Sequence, residues 1–275
     1  MDDCVRVALI TEVFHEDPNR SKLKGHLTEA RALGATLAVL PELPLNPWSP
    51  ATRVPRDEDA EPPDGPRQRV LSEAAAQVGI ALLGGAIVTD LGTGLRHNTA
   101  LLYDARGREL GRYRKVHLPE EEGYWETSHY EPGTEPPQVM AGPGINVGVQ
   151  ICSDINRPQG SQLLRSKGAE VLLVPRATPG ETYQRWRLVL RANAVMADVY
   201  LLSVNRPGPE FDVDIGGPSL AVAPDGDVLY EGTDRVAVVE LEAYRAAKAV
   251  AEYPGYLARP ADLYARGWTS VGGDG

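Results

Sequence analysis

The stretch Gly148-Val149-Gln150-Ile151-Cys152-Ser153-Asp154 decides the fold, because it joins an apolar run to a cysteine and then to polar residues. The small and apolar run from Ile145 to Ile151 predicts a short buried strand, and Pro158 can open a helix soon afterwards. A thiol on such a turn lies near free amide N–H groups and the positive end of a helix dipole. Both features lower the pKa of a thiol and stabilise a developing oxyanion. Cys152 is therefore a candidate nucleophile, and its alternative is a buried structural cysteine.

Composition limits the class of protein. The chain of 275 residues has 28 Lys and Arg against 38 Asp and Glu, a formal net charge of −10, which argues against nucleic acid as a partner because phosphates need a basic surface. The sequence shows no signal peptide and no apolar run long enough to span a bilayer, so we expect no membrane partner. Two cysteines, Cys4 and Cys152, are too few for a disulfide framework, and this favours a reducing, cytoplasmic location.

Strand and helix patterns alternate along the chain without a clear linker, which predicts one α/β domain of two packed sheets with helices outside. We assign residues 1–250 to this domain. Residues 251–275 are rich in proline and aromatic side chains without a core pattern, and we expect this tail to pack at a subunit interface. The main predicted strands are residues 5–11, 36–40, 80–88, 98–103, 145–151, 170–175, 200–205 and 236–241, and the main predicted helices are residues 18–33, 68–78, 159–167, 182–197 and 242–249.

Three charged residues occupy unusual positions. Glu42 directly follows an apolar strand, at the place where α/β sheets commonly carry their sites. Lys115 begins a long irregular segment, residues 114–137, and Glu126 lies within it among aromatic side chains. A segment of this length inside a compact domain is usually functional or disordered, and its aromatics argue against disorder. Each residue also has a structural interpretation, as a helix cap, a solvated basic edge or part of an acidic loop face.

Four motifs follow one another along the chain. They are Pro41-Glu42, then Tyr113-Arg114-Lys115-Val116-His117-Leu118-Pro119, then Gly123-Tyr124-Trp125-Glu126 with Tyr130-Glu131-Pro132-Gly133, and finally Gln150-Ile151-Cys152-Ser153-Asp154. Together they resemble the motif series of the nitrilase superfamily of carbon–nitrogen hydrolases. Residues 117–133 are most similar to the N-carbamoyl amidohydrolase type, such as N-carbamoylputrescine amidase.

The resemblance implies a four-layer α-β-β-α sandwich that associates into dimers, often with further assembly. It also implies a triad of Glu42, Lys115 and Cys152, with Glu126 as a second glutamate of the site. The residue types agree with thiol chemistry. A carboxylate can take the proton of a thiol that is mostly protonated at neutral pH, and Lys115 with the backbone N–H of Ser153 can stabilise an oxyanion.

The resemblance also implies a small-molecule substrate with an amide, N-carbamoyl or nitrile group. The residues beside Cys152 favour amide or ureido cleavage over nitrile cleavage. Arg157 and Arg176 are candidates to bind a substrate carboxylate, and Tyr124 and Trp125 are candidates for the pocket wall. The structural alternatives are ion pairs for the two arginines and loop packing for the two aromatics. The acidic residues 120–122 can attract a cationic amine or form a solvated face.

Rival functions are less well supported by the sequence. A Cys–His hydrolase needs a positioned histidine, and His117 and His129 lack an obvious orienting partner in the sequence. No His-x-x-x-His or Cys-x-x-Cys pair occurs, so we expect neither a metal site nor a cofactor. A catalytically silent scaffold of the same fold remains the non-enzyme alternative. We predict a homodimer or a higher homo-oligomer that hydrolyses a small amide or ureido compound.

Overall fold

A computed structural model describes residues 4–17 and 19–271, and the helices and strands agree closely with the sequence patterns. The predicted starts and ends that involve residues 1–3, 18 and 272–275 lie outside the described residues. The strands are β1 (Cys4–Leu9), β2 (Leu37–Val39), β3 (Ala60–Glu61), β4 (Ala81–Thr89), β5 (Arg96–Tyr103), β6 (Glu109–Arg114), β7 (Glu120–Glu121), β8 (Tyr124–Trp125), β9 (Met140–Ala141), β10 (Asn146–Val149), β11 (Val171–Arg176), β12 (Tyr200–Asn205), β13 (Ser219–Val222), β14 (Val228–Gly232) and β15 (Ala237–Glu242). The helices are α1 (Ser21–Ala32), α2 (Pro66–Val78), α3 (Pro158–Ser166), α4 (Tyr183–Ala197), α5 (Ala243–Ala251) and α6 (Ala261–Ser270).

The strands form two large mixed sheets and one short hairpin. The first sheet has the order β15-β1-β2-β4-β5-β6, with β3 paired to β4, and the second has the order β14-β13-β12-β11-β10-β9. Strands β1, β2 and β4 run parallel, as do β10, β11 and β12. Helices connect the parallel strands, as such crossovers require.

Side-chain alternation along the strands separates the interior into layers. Val7 and Leu9 of β1 pack in the cluster between the two sheets, together with Leu173 of the second sheet. Ala8, between them in the sequence, belongs to the cluster that packs the first sheet against α1 and α2. A third cluster packs the second sheet against α3 and α4, with Leu190 of α4 at 0% exposure. These clusters confirm the predicted order of layers, helix–sheet–sheet–helix.

Strand direction brings the ends of several strands to one edge of the sandwich. Strand β6 is antiparallel to β5, and β5 is antiparallel to β4, so β6 runs in the same direction as β2 and β4. Glu42 follows β2 and Lys115 follows β6, so both residues leave the first sheet at the same edge. Cys152 follows β10 of the second sheet. Residues far apart in the sequence are thereby placed at the carboxyl ends of strands, where α/β sheets commonly bind ligands.

Two segments have more regular structure than the sequence patterns predicted. The long segment after Lys115 contains the two-stranded pair β7–β8 and a 3₁₀ turn, Glu126–Ser128. The tail contains helix α6, whose residues are all at least partly exposed. Ala261, Tyr264, Ala265 and Trp268 do follow helical spacing, but this short pattern was overlooked within a segment rich in proline. None of the helices among residues 4–17 and 19–271 is both long enough and apolar enough to cross a bilayer.

Replacing Leu173 by Ala is expected to destabilise the fold, because Leu173 is fully buried between the sheets. A leucine-to-alanine change in a core typically costs about 2–5 kcal/mol. The matched control is Leu188→Ala on α4, where the side chain is 71% exposed, and its cost should stay below about 0.5 kcal/mol. Urea unfolding measures both free energies, and equal losses in the two variants would contradict the layer assignment.

Candidate active site

A fully buried lysine forms the centre of the candidate site. The Nζ of Lys115 donates to Oε1 of Glu42 at 2.8 Å and to Oε1 of Glu126 at 2.6 Å. The side chain of Lys115 is 0% exposed, and those of the two glutamates are at most 1% exposed. The structure therefore brings together three of the residues singled out in the sequence.

The position of Glu42 is fixed by groups from both sheets. Asn98 of β5 donates from Nδ2 to Oε1 of Glu42 at 2.8 Å, and the Nη1 of Arg206 donates to the backbone carbonyls of Glu42 and Leu43, each at 2.8 Å. Oε1 is thus shared by Lys115 and Asn98. No donor among the described residues reaches the buried Oε2, so this oxygen is the one that can accept a proton.

For Glu126 and for Lys115 alike, burial and the neighbouring opposite charges shift the pKa in opposite directions. Burial raises the pKa of Glu126 to about 8, with Lys115 lowering it and Glu42 raising it further. Burial alone would lower the pKa of Lys115, but the charges of Glu126 and Glu42 outweigh it, and the pKa of Lys115 is raised. Lys115 therefore keeps its proton, while burial favours the protonated form of Glu126.

Cys152 lies on a sharp turn that the sequence predicted. Its φ of 48° is in the left-handed region, a conformation that costs a non-glycine residue about 1–3 kcal/mol and is often retained at functional sites. The turn is a 3₁₀ segment, Cys152–Asn156, and Sγ lies 3.7 Å from the carbonyl oxygen of Ala177. The cysteine is only 4% exposed.

The predicted lowering of the thiol pKa is wrong. Burial raises the pKa of Cys152, the charge of Glu42 raises it further, and Lys115 lowers it only in part. Helix α3 begins at Pro158, after the 3₁₀ segment, and a helix dipole acts mainly within the first turn of its helix. The thiol is therefore protonated at neutral pH, and a base must remove its proton before it can attack.

The backbone N–H of Ser153 is free to bind a ligand, since no described residue provides an acceptor for it. The hydroxyl of Ser153 donates to the carbonyl oxygen of His117, so the side chain of Ser153 holds this turn against the segment after Lys115. This geometry is suitable for an oxyanion donor.

A single buried carboxylate holds the cysteine turn and the lysine segment together. Oδ2 of Asp154 accepts from the Tyr113 hydroxyl at 2.9 Å and from the Ile151 N–H at 3.1 Å. Oδ1 accepts from the N–H groups of Val116 and His117 at 3.2 and 2.9 Å. The residues beside Cys152 and beside Lys115 are therefore tied to the same side chain.

Cys152 and Glu126 border a cleft of about 230 Å³, which we call the Cys152 cleft. This is smaller than the roughly 300–1,000 Å³ of pockets for drug-sized ligands, so it suits a small substrate. A larger cavity of about 330 Å³ beside Cys4 shares no residue with the Cys152 cleft. Residues around the Cys152 cleft include Pro119, Glu121, Tyr124, Glu126, Cys152, Ser153, Asn156, Ala177, Thr178, Thr182, Arg185 and Trp186.

Of the four predicted substrate contacts, the structure brings only Tyr124 to the cleft. Trp125 instead stacks under the Arg53 guanidinium, 3.8 Å from the ring centroid. Arg157 is exposed and donates to the carbonyl oxygen of Asn156. Neither Trp125 nor Arg157 lines the cleft.

Arg176 lies inside the protein, so we correct its expected position at the pocket surface. It is 0% exposed, and its Nε donates to the Ser203 hydroxyl at 2.9 Å. Its two other nitrogens bond to Thr178 and to the carbonyl of Pro218. A guanidinium with these partners supports the loop that carries Thr178.

The two histidines considered for a Cys–His mechanism have other partners. His117 does have an orienting group, contrary to the impression given by the sequence, because its Nδ1 lies 2.8 Å from Oδ1 of Asp154. Nε2 of His129 lies 2.6 Å from the carbonyl of Thr52. Neither residue lines the cleft. Over the described ranges, no cluster of three or more metal-ligating side chains is found.

Three residues that support the site received no role from the sequence, namely Asn98, Asp154 and Arg206. Asn98 lies within an ordinary strand pattern and Arg206 follows another strand, so no local pattern showed what either side chain binds. Asp154 was part of the fourth motif, but its partners were not predicted. The long-range hydrogen bonds that define their roles join residues 37 to 164 positions apart, and such contacts form only in the folded chain.

Comparison with known proteins identifies the chain as a carbon–nitrogen hydrolase. A family model described as carbon-nitrogen hydrolase matches residues 6–247, and the chain belongs to this family. The superfamily membership predicted from the motifs is thereby confirmed, and the family includes proteins named as amidases.

Particular relatives extend over most of the chain. A nitrilase from Pyrococcus abyssi is 31% identical over 247 residues, covering 87% of this chain and 90% of the relative. An omega-amidase from Xenopus laevis is 31% identical over 244 residues and covers 85% of each chain. The crystal structure of an amidase from Nesterenkonia sp. superposes with a TM-score of 0.78 at 27% identity, covering 96% of each chain.

Replacing Glu126 by Gln should change how stability depends on pH. Because burial raises the folded-state pKa of Glu126 from an ordinary 4.5 to about 8, the folded protein holds more protons than the unfolded chain in this window. The stability that proton binding by Glu126 contributes is complete below pH 4.5 and is lost as the pH rises through about 8. Gln mimics the protonated form at every pH. The unfolding free energy of the wild type minus that of Glu126→Gln should therefore fall between these pH values, as measured by urea unfolding.

The control for this experiment is Glu131→Gln, because Glu131 is an exposed carboxylate near the same segment. Its difference from the wild type should be nearly independent of pH over this window. A wild-type minus Glu126→Gln difference that rises with pH would mean that the ion pair with Lys115 outweighs burial, and the protonation assigned to Glu126 would then be incorrect.

Proposed function

We propose that this protein hydrolyses an amide or N-carbamoyl group of a small molecule through a covalent thioester on Cys152. One observation carries the proposal: Lys115 is held between Glu42 and Glu126, and Cys152 and Glu126 border the same cleft. A base, a permanent cation and a nucleophile are the groups that acyl transfer requires.

In the first step, Glu42 takes the proton of Cys152. The raised thiol pKa makes this transfer necessary, and Oε2 of Glu42 has no other described donor to satisfy. The thiolate attacks the carbonyl carbon of the substrate, and the carbonyl oxygen becomes an oxyanion. Lys115 and the Ser153 N–H stabilise this charge, and each such donor is worth roughly 3 kcal/mol.

In the second half of the reaction, the tetrahedral intermediate collapses to a thioester. Glu42 returns its proton to the leaving nitrogen, which departs as ammonia or an amine. A water molecule then attacks the thioester carbonyl, with Glu42 accepting its proton and Glu126 assisting. Breakdown of this second intermediate releases the acid, and the proton on Glu42 returns to the thiolate.

The names of relatives support amide and ureido substrates. They include an N-carbamoylputrescine amidase from Arabidopsis thaliana and a citrullinase from Francisella tularensis. A variant of the Nesterenkonia amidase is in complex with butyramide, and another carries acrylamide added to its active-site cysteine. Because the Pyrococcus relative is named a nitrilase, nitriles are the second candidate substrates, and a thiolate attacks a nitrile carbon in the same way.

A catalytic thiol works only while reduced, so we place the protein in a reducing cytoplasm.

Replacing Cys152 by Ala should lower ammonia release by about a thousandfold or more, because removal of a nucleophile has effects of this size in hydrolases. Small amides, N-carbamoyl compounds and nitriles form the substrate panel, and ammonia release is the readout. The matched control is Cys4→Ala, which removes the other free cysteine and should keep full activity. A Cys152→Ala variant that retains most of its turnover would contradict the thioester mechanism. A wild type inactive on the whole panel would favour the silent scaffold.

We also propose that the protein assembles with copies of itself through its C-terminal region, where residues 251–275 form the tail. The large apolar side chains of this region are exposed, with Tyr264 at 63% and Trp268 at 61%. Exposed apolar clusters of this kind commonly mark interaction surfaces. The family resemblance makes a second copy of the chain the expected partner.

The double variant Leu263→Ser, Trp268→Ser should shift the protein toward monomer, as measured by sedimentation velocity. Leu91→Ser is the control, because Leu91 is 78% exposed on a turn of the first sheet. It should leave the sedimentation coefficient unchanged. A wild type that sediments as a monomer, or an unchanged oligomer in the double variant, would contradict the assembly through the tail.

A further inference from the structure

The Cys152 cleft contains two opposite charges that the proposed mechanism does not use. Glu121 lies on β7 and Arg185 lies in the first turn of α4, and both line the cleft. Apart from Glu126, they are the charged side chains among its described lining residues.

Neither charge is neutralised by the protein. Over residues 4–17 and 19–271, neither Glu121 nor Arg185 makes a side-chain hydrogen bond or an ion pair, and the two are not within ion-pair distance of each other. Their neighbours behave differently: Glu120 accepts from Thr127, and Arg187 pairs with Glu231 at 3.0 Å. Glu121 and Arg185 are therefore exposed, unpaired charges at the border of the cleft.

The two charges lie on separate elements, so the cleft offers an anionic group on the β7 side and a cationic group on the α4 side. The amino end of α4 adds positive potential on the side of Arg185. A purely cationic ligand would be attracted by Glu121 and repelled by Arg185. A purely anionic ligand would be attracted by Arg185 and repelled by Glu121. A ligand that carries both charges would satisfy both side chains.

We propose that Glu121 and Arg185 select a zwitterionic substrate, namely an amino acid whose side chain ends in an amide or ureido group. Glu121 binds the ammonium and Arg185 binds the carboxylate, while the amide or ureido carbon lies at Cys152. The small volume of the cleft, about 230 Å³, suits a compound of this size. This inference rests on the proposed hydrolase function and specifies its substrate class.

Four amides that share a butanamide chain test the inference. They are L-glutamine with both charges, 4-aminobutanamide with only the ammonium, glutaramate with only the carboxylate, and butyramide with neither. L-citrulline, N-carbamoylputrescine, 5-ureidopentanoate and butylurea form the matching ureido series. The zwitterion should have the highest kcat/KM in the series that the protein hydrolyses, and removing either charge should lower kcat/KM about fivefold.

Two substitutions test which residue binds which charge of the substrate. Glu121→Gln should lower kcat/KM of the two ammonium-bearing compounds relative to the neutral one, and Arg185→Gln should do the same for the two carboxylate-bearing compounds. The controls are Glu122→Gln, an exposed neighbour that does not line the cleft, and Arg187→Gln, which is paired to Glu231. Both controls should leave these ratios unchanged.

Two outcomes would overturn the charge selection while leaving the hydrolase function intact. One is a neutral compound whose kcat/KM equals that of the zwitterion, and the other is a variant that lowers kcat/KM of all four compounds equally. Protection of Cys152 against iodoacetamide gives a readout that does not need turnover. Protection by the zwitterions above the neutral compounds, without ammonia release from either series, would support the charge selection and refute the proposed amide or N-carbamoyl hydrolysis. An absence of both turnover and selective protection would overturn the inference.

Discussion

A buried ammonium between two carboxylates is the interaction on which the rest of this structure depends. A charge with no access to water is costly unless it is paired and hydrogen-bonded, so Lys115 requires both Glu42 and Glu126 at less than 3 Å. These three residues come from the end of β2, the end of β6 and a turn in a long loop. Their meeting restricts how the first sheet and that loop can be arranged, and the same arrangement gives a cation that stays charged in a dry site.

The second sheet is fixed to this group by side chains with no role in the proposed chemistry. Asp154 accepts from the segments beside Cys152 and beside Lys115, so the nucleophile turn is positioned relative to the lysine. Arg206, after β12 in the second sheet, donates to the carbonyls after β2 in the first. Catalytic groups need placement to within about 0.5 Å, and these buried polar bonds supply it where apolar packing alone would permit sliding.

The sequence was a good guide to features with local signals. Apolar runs predicted the strands, their interleaving with helices predicted two packed sheets with helices outside, and the motifs around Glu42, Lys115 and Glu126 predicted residues that do lie together. The sequence did not predict the direction in which the pKa of Cys152 is shifted. That direction depends on burial and on the charge of Glu42, which is 110 positions away from Cys152. Arg176 shows the same limit, because its residue type suggests a carboxylate partner, whereas the fold surrounds it with Ser203, Thr178 and the carbonyl of Pro218.

The bonds of Arg206 across the two sheets have a consequence for how the protein loses activity. Because its guanidinium is fully buried and holds the backbone on which Glu42 sits, any separation of the sheets removes the base from its position. We therefore expect partial opening of the sandwich to remove the proposed activity together with the native packing.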